Sequence, residues 1–271
     1  MSTVSTLEQW QRKIIPLLSG RTVCAPVTAN LTALAYFFWD DDRIDTLFFT
    51  IESAFLVTRH LSGALPCTLV VNRTTPRIES FCDENQIHIQ VDPTLKGGVP
   101  RMNIDCMETL HTRFETEYVL IIQSDGFPLR KGLAEFVGRY DYIGAPWGPA
   151  SWFTNLVYPY PKYCVGNGGF SLRSKRLCEM SAYYYRRKYR FLPYGYWVSD
   201  DVFFSKTLPR FEKTCRRTMV YAPPEVAGRF SFEADRTFYA LDGGMPLGFH
   251  ARYGFERIMR DFGEKVDAHF V

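Results

Sequence analysis

The run Tyr118-Val119-Leu120-Ile121-Ile122 constrains the fold of this chain more than any other stretch. Successive apolar residues without polar alternation suit a strand buried on both faces, and such strands belong to parallel sheets covered by helices. The run ends in Gln123-Ser124-Asp125-Gly126. In open parallel sheets ligands collect at the carboxyl ends of strands, so polar residues emerging there are site candidates.

The rest of the chain has a matching βαβ rhythm. Leu7 to Leu18 has apolar residues at helical spacing and reads as an opening helix. Thr22 to Val27 suits a first buried strand. Thr46 to Leu61 places Leu47, Ile51, Ala54, Phe55 and Thr58 on one helical face and stops at Gly63. Cys67 to Val71 reads as a second buried strand, closed by the turn Asn72-Arg73-Thr74-Thr75-Pro76, and Gln86 to Gln90 as a third. Met102 to Phe114 is expected to be helical. Ser151 to Tyr163, rich in aromatics and proline, reads as an extended loop or lid. A helix over Ser174 to about Tyr189, an aromatic loop over Phe191 to Trp197 and a helix capped at Ser199-Asp200-Asp201 follow. The expectation is one α/β unit over residues 1–271, a mostly parallel sheet flanked by helices.

Composition narrows the function. A net charge of +3 over 271 residues is too small for a dedicated nucleic-acid binder. Arg186-Arg187-Lys188 with Arg190, and Arg216-Arg217, therefore read as solvated helix faces or as patches for an anionic acceptor or membrane surface. Seven cysteines, an odd number without zinc spacing, read as reduced core residues of a cytoplasmic protein. The start has no secretion-signal pattern. The longest apolar window, Leu31 to Trp39, ends at Asp40-Asp41-Asp42, far short of a membrane span. A chain without a transmembrane segment, cytoplasmic or at most peripheral to a membrane, is expected.

Several constellations can carry chemistry. Asp125, at a strand end, can hold Mg2+ or Mn2+ against the phosphates of an activated donor, or cap a turn with Gly126. His250 can supply an imidazole to the same ion or sit satisfied in the core. At a helix start the side chains of Asp200 and Asp201 point in different directions, so one can cap while the other faces a cleft as a general base. Gly166-Asn167-Gly168-Gly169 fits neither a phosphate loop nor a dinucleotide fingerprint, which disfavours nucleotide hydrolases and nicotinamide enzymes. Asn167 can bind a sugar hydroxyl or hold a left-handed turn. Trp147, Tyr194, Tyr196 and Trp197 can stack on sugar faces or pack in the core.

Taken in order, Leu120 to Asp125, Tyr140 to Trp147, Gly166 to Arg173, Asp200-Asp201-Val202-Phe203-Phe204 and Gly248-Phe249-His250 resemble a glycosyltransferase-like domain family of unknown function within the GT-A superfamily. They are more distantly similar to β-galactosyltransferases and fringe-like enzymes. The resemblance implies a single GT-A-like, Rossmann-like domain, with a nucleotide-sugar-binding half over about 20–147 and a smaller acceptor and catalytic half over about 148–271. It implies transfer from a nucleotide-sugar donor, UDP-linked, to the hydroxyl of a glycan acceptor, with inversion. Asp201 falls at the base position, and Asp200 binds acceptor or substitutes for it. Asp125 and His250 fall at the metal positions, with Gln123 where relatives carry a first carboxylate; an amide oxygen ligates through a dipole rather than a charge. Thr28, Asn72 and Arg73 fall near the nucleotide, and Ser124, Trp147, Asn167, Gly168 and Gly169 near donor sugar and acceptor. Two other readings stand beside this one: a sugar-binding or scaffold protein that has lost catalysis, and a glycosyltransferase acting on modified nucleic acid.

Overall fold

The computed structural model describes residues 5–21, 26, 30–39, 41, 43–147, 165–192, 195–233 and 244–270. Its sheet is built on β1 (Leu31–Phe37), β2 (Cys67–Val71), β3 (Ile87–Val91) and β4 (Tyr118–Ile122), followed by β5 (Tyr142–Ile143), β6 (Ala145–Pro146), β7 (Val165–Gly166) and β8 (Ser171–Ser174). The main sheet has the order β3-β2-β1-β4-β8-β5. The pairings of β1 with β2 and β4, and of β2 with β3, are parallel; β8 runs antiparallel to both β4 and β5. This is the expected α/β class, a mostly parallel sheet flanked by helices.

Burial follows the apolar pattern. β1 and β2 are buried along their whole length, whereas β3, at the sheet edge, is half exposed. The window Leu31 to Trp39 is thus a central strand rather than a mere apolar interval; its one polar residue, Thr32, is satisfied by the hydroxyl of Thr116 at 2.8 Å. The strand expected over Thr22 to Val27 lies outside the described residues except Pro26, as do Thr28, Ser151 to Tyr163, Tyr194, Cys24 and Cys164. The cysteines among the described residues are free and buried.

Four helices frame the front half: α1 (Thr6–Leu18), α2 (Arg43–Ser62), α3 (Pro76–Glu84) and α4 (Gly98–Glu108). α1 starts where the Ser5 hydroxyl accepts the amide of Glu8 at 3.1 Å, and it buries Leu7, Trp10, Ile14 and Leu18 on one stripe. α4 begins earlier than its apolar spacing indicates and ends at Glu108, where a short 3-10 turn, Leu110–Thr112, takes over. The helix expected from Ser174 is α-helical over Lys175–Tyr184 and then widens into a π-turn, Tyr185–Tyr189. The last helix, Ala251–Asp267, returns to the start of the chain: the Phe255 and Phe270 rings lie 5.5 and 5.4 Å from that of Trp10. A small parallel pair, β9 (Ser231–Phe232) and β10 (Gly248–Phe249), lies between. Among the described residues no helix is long and apolar enough to cross a membrane.

Candidate active site

A cavity of about 770 Å³ opens at the carboxyl ends of β1 and β4. Phe37, Phe38 and Trp39 come to it from the end of β1, Gln123 and Ser124 from the turn after β4, Lys96 from the turn before α4, and Gly98 and Val99 from the first turn of α4. Gly168, Gly169, Asp200, Asp201 and His250 close the other side. Most of the residues expected to work together from their sequence positions are therefore gathered around one space.

The turn after β4 is tight, with Gln123 and Gly126 exchanging backbone bonds of 2.8 and 3.0 Å. The glycine turn packs directly against it. A Cβ on Gly169 would fall 2.2 Å from His250 Nε2 and 2.7 Å from Gln123 Oε1, so only glycine lets these two polar atoms approach the turn together. A Cβ on Gly168 would fall 3.0 Å from Asp200 Oδ1. Asn167 is fully buried at φ 78°, and its Oδ1 accepts the amides of Gly169 at 2.8 Å and Phe170 at 3.1 Å. Its Nδ2 donates to Ser231 Oγ at 3.2 Å, and its carbonyl accepts the Tyr142 hydroxyl at 3.1 Å. The side chain expected near a sugar is thus occupied in holding the left-handed turn.

The two adjacent aspartates have separate environments. Asp200 is buried, and its Oδ2 lies 2.7 Å from Nη2 of the fully buried Arg173. That guanidinium lies 4.6 Å from the centre of the Phe204 ring, and its Nε donates to Ser171 Oγ at 3.2 Å. Asp201 instead caps its own helix: Oδ1 accepts the amide of Val202 at 2.7 Å and the hydroxyl of Ser199. Ser199 occupies the cap position but its side chain makes no cap bond, because its hydroxyl turns to Asp201. Burial, reinforced by the charge of Asp200, raises the Asp201 carboxyl above its usual value, despite the opposing bonds from Ser199 and Val202. Both bonds to this carboxylate among the described residues fall on Oδ1.

His250 is oriented from behind. Its Nδ1 lies 2.9 Å from Glu233 Oε1, while Glu233 Oε2 accepts the indole N–H of Trp147 at 3.0 Å. Burial disfavours charge on this imidazole, but the Glu233 bond and the carboxylates of Asp125, Glu233 and Asp201 outweigh it and raise its pKa above the usual value. With Nδ1 engaged, Nε2 faces Gln123 and the cavity, the arrangement by which a carboxylate orients a histidine ligand. His250 and Gln123 line the cavity, whereas Asp125 does not and is linked to them through the effect of its charge on His250; an imidazole and an amide oxygen with a carboxylate nearby are donor types that suit a divalent cation completing its shell with phosphate and water oxygens. Among the described residues no group of three His, Cys, Asp or Glu side chains is gathered in one place.

Other expected residues stand farther back. Asn72 is buried and clamps the backbone of Trp39, accepting its amide at 3.2 Å and donating to its carbonyl at 3.1 Å. Arg73 donates to the Asp41 carbonyl at 2.6 Å. Neither lines the cavity; they set the path of the loop that does. Trp147 reaches the site through Glu233, with Lys206 over its ring at 4.6 Å. Tyr196 and Trp197 are exposed rather than packed in the core.

Two residues of this site are absent from the sequence reading. Arg173 carried a weak signal, since a cation in a short strand next to Leu172 needs an anion if the strand is buried. Glu233 carried none, because its two partners are set by the fold.

A family model described as "Protein of unknown function (DUF5672)" matches residues 101–250. No curated protein matches the chain. Among solved structures the chain is similar to the mannosyltransferase Ktr4p from S. cerevisiae in complex with GDP, at 8% identity and TM-score 0.43, covering 76% of this chain and 78% of that one. It is similar to core-mannan synthase A (CmsA/Ktr4) from Aspergillus fumigatus in its Mn/GDP form, at 10% identity and TM-score 0.47, covering 70% and 77%. It is also similar to a glycosyltransferase involved in the glycosylation of the major capsid of PBCV-1, at 14% identity and TM-score 0.40, covering 85% and 98%.

Proposed function

We propose, on the premise that this chain belongs to the DUF5672 family of proteins of unknown function, that it moves a sugar from a nucleotide-sugar donor, UDP-linked, to a hydroxyl of a glycan acceptor. The observation that carries this reading is that Asp201 and His250 line one cavity at the strand ends. There a carboxylate of raised proton affinity shares a chamber with an imidazole held for ligation by Glu233.

In this reading the acceptor hydroxyl gives its proton to Asp201 as its oxygen bonds to the anomeric carbon. The bond from that carbon to the diphosphate oxygen breaks on the opposite face, so the configuration inverts. A raised carboxyl pKa suits the step, because a base of ordinary aspartate strength holds a proton weakly. Arg173 offsets the charge of Asp200, which keeps that neighbour from raising Asp201 further. His250 and Asp125, with Gln123 beside them, would hold Mn2+ or Mg2+, which when bound supplies positive charge to the leaving diphosphate. Trp147 and the glycine turn border the donor sugar.

Gln123, an amide where a first carboxylate is expected beside Asp125, favours a second reading, a sugar-binding or scaffold protein that binds the donor without turning it over. A thermal-shift screen of nucleotide sugars, with and without manganese, tests the first claim. A true donor at 100 times its Kd stabilises the folded state by about 2.7 kcal/mol. If no nucleotide sugar shifts the transition, the donor site is wrongly assigned. A shift without turnover in the presence of acceptors supports the second reading.

A further inference from the structure

Away from the cavity, apolar rings and cations are concentrated on one exposed stretch. Phe191 and Trp197 are 85% and 84% exposed, and Tyr196 is 70% exposed, with Leu192 beside them. The fold holds these residues outward. In the π-turn Tyr185–Tyr189 both tyrosines are buried, with Tyr189 donating to Glu212 at 2.8 Å, and Arg186, Arg187 and Lys188 are exposed. The next turn is closed by Gly195 N–H to the Val198 carbonyl at 2.9 Å and clipped to α4 by buried Asn103, which donates to the Gly195 carbonyl at 3.1 Å.

Charge accounting separates these cations. Arg186 meets Glu108 at 3.3 Å and Lys188 meets Glu212 at 2.7 Å. Arg187 and Arg190 meet no carboxylate among the described residues. They lie instead over the rings of Tyr183 and Phe191, at 4.4 and 5.4 Å.

We propose that Phe191, Leu192, Tyr196 and Trp197, with Arg187 and Arg190, dock this protein on an anionic lipid bilayer. Aromatic and aliphatic side chains enter the headgroup boundary while unpaired arginines meet lipid phosphates, the combination that peripheral membrane surfaces use. A nucleic-acid duplex, its bases already stacked, would use the cations but gain little from exposed Leu192 and Phe191. A free glycan would use the rings but not the cations. The clipped turn also touches the cavity's rim: a Cβ on Gly195 would fall 2.7 Å from the Pro100 carbonyl, and Gly98 and Val99, just before Pro100, line the cavity. Docking therefore sets the cavity beside the bilayer surface, whatever reaction it performs.

Flotation of the full chain with phosphatidylcholine vesicles, with and without about 30% phosphatidylglycerol, tests this. Binding is expected only to the anionic vesicles, weakening with salt. The double variants Phe191→Ala/Trp197→Ala and Arg187→Glu/Arg190→Glu should each weaken it about ten-fold or more while keeping the wild-type melting temperature. Absence of binding, equal binding to neutral vesicles, or binding unchanged in both double variants would overturn the proposal. So would duplex DNA or a soluble oligosaccharide binding wild type but not these variants, with vesicle binding unaffected.

Discussion

Two arginine–aspartate clusters, one partly exposed around Arg113 and one buried around Arg173, are built in opposite ways, and the Cys106 thiol, pushed well above its usual pKa by burial, feels the charges of both. Around Arg113 the polar groups are matched. Asp105 accepts the Tyr36 hydroxyl at 2.6 Å and Arg113 Nε and Nη2 at 3.1 and 2.7 Å, and Arg113 also reaches Asp92. This knot ties β1 to α4 and to the end of β3. Around Arg173 the accounts stay open: Nη2 meets Asp200 as an ion pair off the hydrogen-bonding direction, and buried Nη1 has no hydrogen-bond partner among the described residues. Beside it Asp201 keeps a carboxylate in an environment that disfavours its charge. A saturated network holds a fold, whereas a charged group left partly unsatisfied at a cavity wall is a place for a substrate.

The contrast breaks most sharply under substitution. Asp105→Asn takes one of two carboxylates from Arg113, which keeps Asp92, and should cost about 1.5–3 kcal/mol in chemical denaturation, with donor affinity per folded molecule unchanged. Asp201→Asn, measured the same way, should cost nothing or stabilise, because a neutral amide removes a charge that burial disfavours. If the two variants lose stability equally, the distinction between the clusters is wrong. A smaller effect is expected at Glu233. Glu233→Ala should leave stability within about 1 kcal/mol but weaken manganese binding about ten-fold, read from the thermal shift with metal alone. Unchanged metal binding would leave Glu233 as a packing residue.

Smallest is the dependence on pH, where the clusters should oppose each other. The Asp92 carboxyl is held below 3.8: burial opposes this, but bonds from Thr94 and Arg113 prevail. Its contribution to stability is present above that value and is lost as pH falls through the folded-state pKa. Asp201 is raised above 3.8, so its contribution is present below that value and is lost as pH rises through its folded-state pKa. Melting temperatures of wild type and Asp201→Asn across the acid range should diverge with the wild type falling behind as pH rises. Parallel curves would contradict the raised carboxyl.

The same contrast explains what was legible in the sequence. β4 and the polar turn after it could be read directly, because a strand buried on both faces writes its environment into adjacent residues. The gathering of Asp200, Asp201 and His250 with the glycine turn followed from their order and from the resemblance it carries. The division of labour between Asp200 and Asp201 did not, since it depends on Arg173 reaching one and not the other. Nor did the fate of Asn167, whose amide is taken up by its own turn and by Ser231, 64 residues on. The central strand Leu31–Phe37 reads in the sequence only as an apolar window too short to cross a membrane; its place in the middle of the sheet, with Thr32 satisfied by the distant Thr116 hydroxyl, is set by the fold.

The most direct test of the central claim is acceptor-dependent release of nucleoside diphosphate at saturating donor, compared between wild type and Asp201→Asn, with donor binding measured in the same samples. Loss of the general base should lower the rate by about 10²–10⁴-fold while binding stays within about two-fold. Release at the wild-type rate from a variant that binds donor normally would contradict the assignment of Asp201.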